Sequence, residues 1–231
     1  MHDLSAPITD GTYLAALSSV NSALSSANAI TNMAKTSFAI CRPPGHHAGH
    51  ASCAGYCYIN NAAVAANWLT TKGRIAILDI DYHAGNGTQE IFYQRADVLT
   101  ISIHADPDHE YPYFSGYEDE KGEGPGLGYH HNFPMPAGTD DAHYLPILGK
   151  ALDLVARYSP EYLVISAGMD LFEGDPLGEF KITRAGIRQI GRDIANLNLK
   201  NLVVLEGGYN NAALGENIVT FMNEFRVKET Q

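Results

Sequence analysis

Apolar residues recur along the chain in two alternating rhythms. Between positions 12 and 34 they fall at Tyr13, Leu17, Val20, Leu24, Ala27 and Ile30. That is the spacing of a helix buried along one face, with Asp10 or Thr12 available to cap it. The second rhythm is the short continuous run: SFAIC at 37–41, RIAILDI at 74–80, VLTISIH at 98–104, YLVISAG at 162–168 and NLVVLEG at 201–207. RIAILDI, β-branched and apolar on both faces, is the strongest of them and predicts a strand covered on both sides, as in a parallel sheet. HNFPM at 131–135 reads as a further strand, weakened by its proline.

Helical spacing returns between the runs. An alanine-rich helix is predicted over Asn60–Thr71, stopped by Gly73, and a short one over Thr88–Gln94. A third is capped by Thr139, with Asp140 and Asp141 in its first turn and Leu145, Leu148, Leu152 and Val155 facing the core. A fourth, capped by Thr183, carries Ile187, Ile190, Ile194 and Leu197, and the last carries Leu214, Ile218, Phe221 and Phe225. Strands alternating with helices predict an α/β fold: a three-layer, mostly parallel sheet with helices on both faces. No internal repeat or linker divides the chain, so 1–231 is read as a single domain.

Composition narrows the class. The chain is 45% hydrophobic and 18% charged, ordinary for a soluble globular protein. No run approaches 18 apolar residues, and the start, MHDLSAPITD, has neither the basic nor the apolar region of a signal peptide. The expected location is the cytoplasm, where Cys41, Cys53 and Cys57 are free thiols. A net charge of -11 argues against direct binding of nucleic acid. It is compatible with a cationic small substrate, although for most of these charges keeping the protein soluble is the simpler reading.

Ligands in parallel sheets sit beyond the carboxyl ends of the strands, and there the polar clusters gather: RPPGHHAGH after 37–41, DYHAGNG after 74–80, GMD after 162–167 and EGGYN after 201–205. Asp81 and His83, two apart in chain expected to be extended, can point to one side as half a metal site, and Asp170 can complete it. Three protein ligands with an open position is the catalytic zinc arrangement. His46 and His47 beside a metal-bound water form an acid/base pair. Asp79 can hold one of them by hydrogen bond. Tyr209 can donate to a developing oxyanion. The connection 105–128 holds Tyr111, Tyr113, Phe114 and Tyr117 with six acidic residues from Asp106 to Glu120. Its aromatics suit walls for an aliphatic amide, and its acids suit a cationic end or a solvated loop.

Taken in order, CRPPGHHAG, GYCYINNAAVAA, ILDIDYHAGNGTQEIFY, ISIH, SAGMD and LEGGYN resemble the histone deacetylase superfamily over residues 37–215. The wording is closest to the class II and bacterial acetylpolyamine amidohydrolase branches. The resemblance implies an arginase/deacetylase-type fold and hydrolysis of an N-acetyl amide on a lysine- or polyamine-type amine. It implies zinc (with iron(II) or cobalt(II) as alternatives) on Asp81, His83 and Asp170. It makes His46 and His47 a catalytic tandem, with Asp79 paired to His46 and Tyr209 as oxyanion donor. It also implies a potassium site around Asp79, Asp81, His83 and Ser102, and a substrate tunnel lined by Gly55 and Tyr56, with Phe114 facing Tyr56.

Three departures qualify the match. Ala84 stands where the family usually has a second histidine, and Asn86 where some members carry an aspartate. The chain also begins at the helix before the third family strand, so the first two strands are expected to be lacking. The strand at 37–41 then becomes an open edge, and a homo-oligomer burying it is expected. Two other readings are kept. One is a catalytically impaired relative that binds acylated amines or a partner. The other is a binuclear ureohydrolase, although only one set of metal ligands is visible. Neither a Gly-x-Ser-x-Gly elbow nor His-Glu-x-x-His occurs, which disfavours serine-hydrolase and zincin chemistry.

Overall fold

The computed structural model describes residues 3–226; the ends of the expected 1–231 domain, residues 1–2 and 227–231, lie outside them. Six strands form one sheet: β1 (Thr36–Ala39), β2 (Ile75–Asp79), β3 (Val98–Ala105), β4 (His130–Met135), β5 (Tyr162–Ala167) and β6 (Lys200–Leu205). Their order is β1-β6-β5-β2-β3-β4 and every pairing is parallel. The helices are α1 (Thr12–Asn32), α2 (Asn61–Leu69), α3 (Asn86–Phe92), α4 (Asp141–Tyr158), α5 (Arg184–Asn196) and α6 (Leu214–Arg226). Among the described residues no helix is long and apolar enough to cross a membrane.

Alternation along the strands sends successive side chains into two cores. Leu78, Ile101, Leu163, Ile165 and Val203 pack with Leu148, Ile187, Ile190 and Phe221 of α4, α5 and α6. Ile75, Ile77, Val164, Leu202 and Val204 pack with Ala23, Ala27 and Ile30 of α1 and Ala62, Ala66 and Leu69 of α2. Both faces of the sheet are covered, so β2, β5 and β6 are largely apolar on both sides. In β3, by contrast, Thr100, Ser102 and His104 alternate with Leu99, Ile101 and Ile103 and are buried through hydrogen bonds. The three-layer, parallel expectation is met.

Local details differ from the expectation. The buried stripe of α1 is Ala16, Val20, Ala23, Ala27 and Ile30, whereas Tyr13 is exposed and Leu17 and Leu24 lie at the rim. Small alanines let α1 approach α2 closely, so the larger residues are turned aside. Neither Asp10 nor Thr12 caps α1: Gly11 holds that position with no side-chain bond. Helix α4 is capped by Asp140, which is extended and accepts from His143 N at 3.1 Å. Thr139 is instead buried and donates to Pro136 O. Tyr144, not Leu145, takes the fully buried place in that helix. Helix α3 starts at Asn86, two residues earlier than expected.

The connection after β3 is not an unstructured span. His104 bonds Gly116 O through Nε2, Glu120 accepts from the N–H groups of Gly116 and Tyr117, and a 3-10 turn forms at Gly124–Gly126.

Ile165 lies at the centre of β5 with no exposed surface. Ile165→Ala should destabilise the fold by about 2–5 kcal/mol in denaturant unfolding, the range for a large-to-small change in a tightly packed core. Asp140→Ala should cost about 1 kcal/mol through the lost cap.

Candidate active site

After β2 the chain moves outward to β3, and after β5 it moves the other way to β6. The neighbouring carboxyl ends of β2 and β5 therefore flank a topological switch point, where a parallel sheet leaves room for a ligand. Asp81 and His83 follow β2 there, and Asp170 follows β5.

A ladder of side-chain-to-backbone bonds shapes this end. Asp79 Oδ1 accepts from Asp81 N at 3.0 Å, and Asp81 Oδ1 accepts from His83 N at 2.9 Å. Residues 81–83 thus form a bend, not the extended chain expected from their spacing. Their convergence comes from aspartates capping the N–H two residues on, a turn this residue type favours. Asp170 Oδ1 accepts from Tyr82 N at 3.0 Å, and Asp81 Oδ2 accepts from Gly207 N at 2.8 Å. Gly168 and Gly207 are needed because a Cβ at either would overlap the carboxylates of Asp81 and Asp170.

Asp81, His83 and Asp170 offer ligand atoms that all lie within 4.8 Å of one another. His83 Nδ1 stands 3.3 Å from Asp81 Oδ1 and 3.2 Å from Asp170 Oδ2. Ligand atoms around a tetrahedral ion bonded at about 2.0–2.2 Å are separated by roughly 3.3–3.6 Å, so both His83 separations match such an ion and the third lies within 4.8 Å. The charges argue the same way. Burial and then the neighbouring Asp81 charge push the Asp170 carboxyl up to about 6. Against the effect of its burial, hydrogen bonds to Asp170 and Asp81 raise His83 to about 10. Two fully buried carboxylates balanced by one imidazole make a place that favours a cation.

The two histidines from the loop after β1 lie alongside, with ring centroids 4.0 Å apart. His46 Nδ1 is 3.0 Å from Asp79 Oδ2, and its Nε2 is 3.6 Å from Asp81 Oδ1. Burial opposes its charged form, but Asp81 and Asp79 outweigh that and raise its pKa well above the ordinary value. His47 is the opposite case. Burial, with His46 and His83 nearby, holds it well below the ordinary histidine value, and its Nδ1 meets Asn86 Oδ1 at 2.7 Å. Two adjacent imidazoles with opposed tendencies can divide acid and base work.

Tyr209 follows Gly207 and Gly208, and burial, then Asp81 and Asp170, keep its phenol protonated. Asp175 was absent from the sequence-derived candidates. Its Oδ2 accepts from the N–H groups of Tyr209 and Asn210 at 2.7 and 2.9 Å, tying the Tyr209 loop to the loop after Asp170. Its only sequence signal is an aspartate before proline in a loop. Gly55 and Tyr56 both adopt positive φ (51° and 64°), and a Cβ on Gly55 would strike the His47 ring. Tyr56 lies 5.9 Å, ring to ring, from Tyr209.

Phe114 stands on the loop after β3. It is 69% exposed and lines the neighbouring groove of about 1210 Å³, together with Tyr58, Tyr93 and Glu90. The ring from the long loop that meets the histidines belongs to Tyr111, 4.9 Å from His47 and 6.3 Å from His83. Ser102 lies in register with Asp79 and bonds His104 through its hydroxyl.

Comparison with known proteins agrees with this geometry. The family described as histone deacetylase domain matches residues 2–225, and the chain belongs to that family. It is 48% identical to acetylpolyamine amidohydrolase 2 of Pseudomonas aeruginosa over 225 residues, covering 96% of this chain and 65% of that protein. Over 217 residues it is 46% identical to acetylpolyamine amidohydrolase of Mycoplana ramosa, covering 93% and 64%. The crystal structure of acetylpolyamine aminohydrolase from Burkholderia pseudomallei superposes with a TM-score of 0.95 at 43% identity, covering 96% of this chain and 66% of that one. The chain thus spans about two thirds of the length of these relatives.

Gly207→Ala should drive the Asp81 and Asp170 carboxylates apart. Calorimetric titration with Zn²⁺ should show affinity at least about tenfold weaker, the scale of losses when groups that orient metal ligands are disturbed, while the far-UV circular dichroism of the apoprotein stays unchanged.

Proposed function

We propose that this chain is a single-domain, metal-dependent amidohydrolase that removes the acetyl group from an N-acetylated polyamine or acetyl-lysine-type amine and releases acetate. The observation that carries this reading is the pair His46 and His47, held beside the Asp81, His83 and Asp170 triad at the switch point of the sheet. Names of the relatives favour the polyamine class. So does the net charge of -11, because an acidic surface attracts polycations.

Asp81, His83 and Asp170 would hold Zn²⁺, with Fe²⁺ or Co²⁺ as alternatives for so oxygen-rich a donor set. When bound, the ion supplies Lewis acidity toward the amide carbonyl and lowers the pKa of water at the site. His47 is the general base. Asn86 Oδ1 accepts a hydrogen bond from Nδ1–H, which leaves the Nε2 lone pair free to accept a proton from the attacking water. A C–O bond forms at the acetyl carbon, the C–N bond breaks, and His47 returns its proton to the departing amine nitrogen. His46, hydrogen-bonded to Asp79 and facing Asp81, is placed to support the developing negative charge. Tyr209 donates its hydroxyl to the oxyanion. Gly55, Tyr56 and Tyr111 form the walls past which the methylene chain enters, and Phe114 would meet the substrate only outside the mouth.

A potassium ion on Asp79, Asp81, His83 and Ser102 belongs to the same proposal, supported by the register of Asp79 with Ser102. We also infer a homo-oligomer formed through β1. That strand pairs only with β6 among the described residues, and Ile40 just beyond it is 67% exposed. A cytoplasmic setting suits the three free cysteines.

Zinc-loaded protein should deacetylate acetylputrescine, acetylspermidine or a fluorogenic acetyl-lysine, and lose that activity on dialysis against a chelator. No chelator-sensitive turnover on any of them refutes the reading. His47→Ala and Tyr209→Phe should each lower kcat by roughly 10²–10⁴-fold, measured with bound zinc unchanged. Light scattering at micromolar concentration should give a mass above the 25.0 kDa of one chain, and a strict monomer refutes the oligomer.

A further inference from the structure

Glu206, the residue after β6, is 2% exposed, and no lysine or arginine pairs with it among the described residues. Burying a carboxylate in that way is costly, and a neutral side chain would serve stability better. One oxygen, Oε1, has no hydrogen-bond partner. The other, Oε2, accepts from Gly45 N at 2.7 Å and from His46 N at 3.1 Å. Burial pushes the carboxyl up to about 7 against the opposing influence of the His46 ring, and burial together with this carboxylate pushes the nearby thiols of Cys41 and Cys57 up as well.

What the carboxylate holds is the peptide of a proposed catalytic histidine. The carbonyl of that same residue, His46 O, accepts from Gly87 N at 3.0 Å and Thr88 N at 3.1 Å at the start of α3. His46 is thus gripped from both sides: through its N–H by the end of β6, through its C=O by the element that follows Asp81 and His83. The next residue of the β6 end, Gly207, donates to Asp81 Oδ2. Two consecutive residues of one strand end therefore fix the distance between the histidine pair and the metal triad.

We propose that Glu206 is a positioning residue for the reaction, setting the place of His46 and His47 through the backbone N–H groups of Gly45 and His46. The proposal rests on the reading of the site as a deacetylase centre, and Glu206 touches neither substrate nor metal.

The test compares Glu206→Ala, Glu206→Asp and Glu206→Gln in zinc-loaded protein. Alanine removes the acceptor, and aspartate keeps the charge but shortens the reach. Glutamine keeps an oxygen able to accept both bonds. Glu206→Ala and Glu206→Asp should lower kcat by about 10²-fold, as expected for catalytic groups displaced by about 1 Å. KM should stay within about twofold and zinc per chain should be unchanged; Glu206→Gln should recover much of the loss. Amide exchange followed by NMR should show Gly45 and His46 losing protection in the first two variants and keeping it in Glu206→Gln, while β2 and β5 stay protected in all three. Wild-type kcat in Glu206→Ala, or in Glu206→Asp should the alanine variant not fold, overturns the proposal. So does lost activity with Gly45 and His46 still protected, or a loss that comes with altered KM or zinc content. Absence of turnover in the unmodified protein refutes the deacetylase reading alone. Amide exchange then decides for Glu206: retained protection in the alanine or aspartate variant overturns it, and selective loss supports it.

Discussion

Two carboxylates brought together in the dry centre of a protein repel each other strongly unless something positive stands between them. Asp81 and Asp170 are in that position, with no measurable exposure beyond 1%. His83 bridges them, and the buried backbone N–H groups of Tyr82 and Gly207 point at their remaining oxygens. Much else at this end of the molecule answers that concentration of charge. It explains why His46 favours its charged form while His47, crowded by two other imidazoles, does not. It also explains the glycines at 168 and 207, since any side chain there would occupy the space of the carboxylates.

The sheet makes the arrangement possible. Six parallel strands end together, and the reversal of chain direction between β2 and β5 leaves the crevice into which the carboxylates project. Because both faces of the sheet are packed, the strand ends are rigid supports: Asp79 is still within β2, and Asp81 is only two residues past it. Positions defined this closely suit proton transfer, where reach is limited to hydrogen-bond length.

The strands were legible because buried parallel strands leave largely apolar, β-branched runs, and β2, β3, β5 and β6 fell close to where those runs lie. Residues 46, 47, 81, 83, 170 and 209 were legible as a group because each follows a strand at the same end of the sheet. The local means of convergence was hidden. Asp81 and His83 meet through a turn capped by aspartate, which their spacing alone does not reveal. Asp140 rather than Thr139 caps α4 because the threonine hydroxyl is already engaged by Pro136 O. The stripe of α1 was misjudged because alanine, small enough for close helix packing, carries little weight in a hydrophobic pattern. That the Tyr111 ring lies beside the histidines was not legible within the loop. Its shape depends on bonds from His104 and Glu120, and these become visible only in three dimensions.

The mouth of the site is assembled from pieces that take no part in the chemistry beneath it. Asp3 accepts from the Tyr111 hydroxyl, Ser5 Oγ accepts from Gly55 N, and the Tyr58 hydroxyl donates to Pro7 O. Three stretches far apart in sequence, 3–9, 53–58 and 106–120, are thus laced together at the opening, and the last of them is tied to the strand ends through Tyr82–Glu110 and His104–Gly116 bonds. Evolution can alter such a rim one stretch at a time. The width and lining of the opening can then change separately from the buried carboxylates beneath it, which are anchored to the sheet.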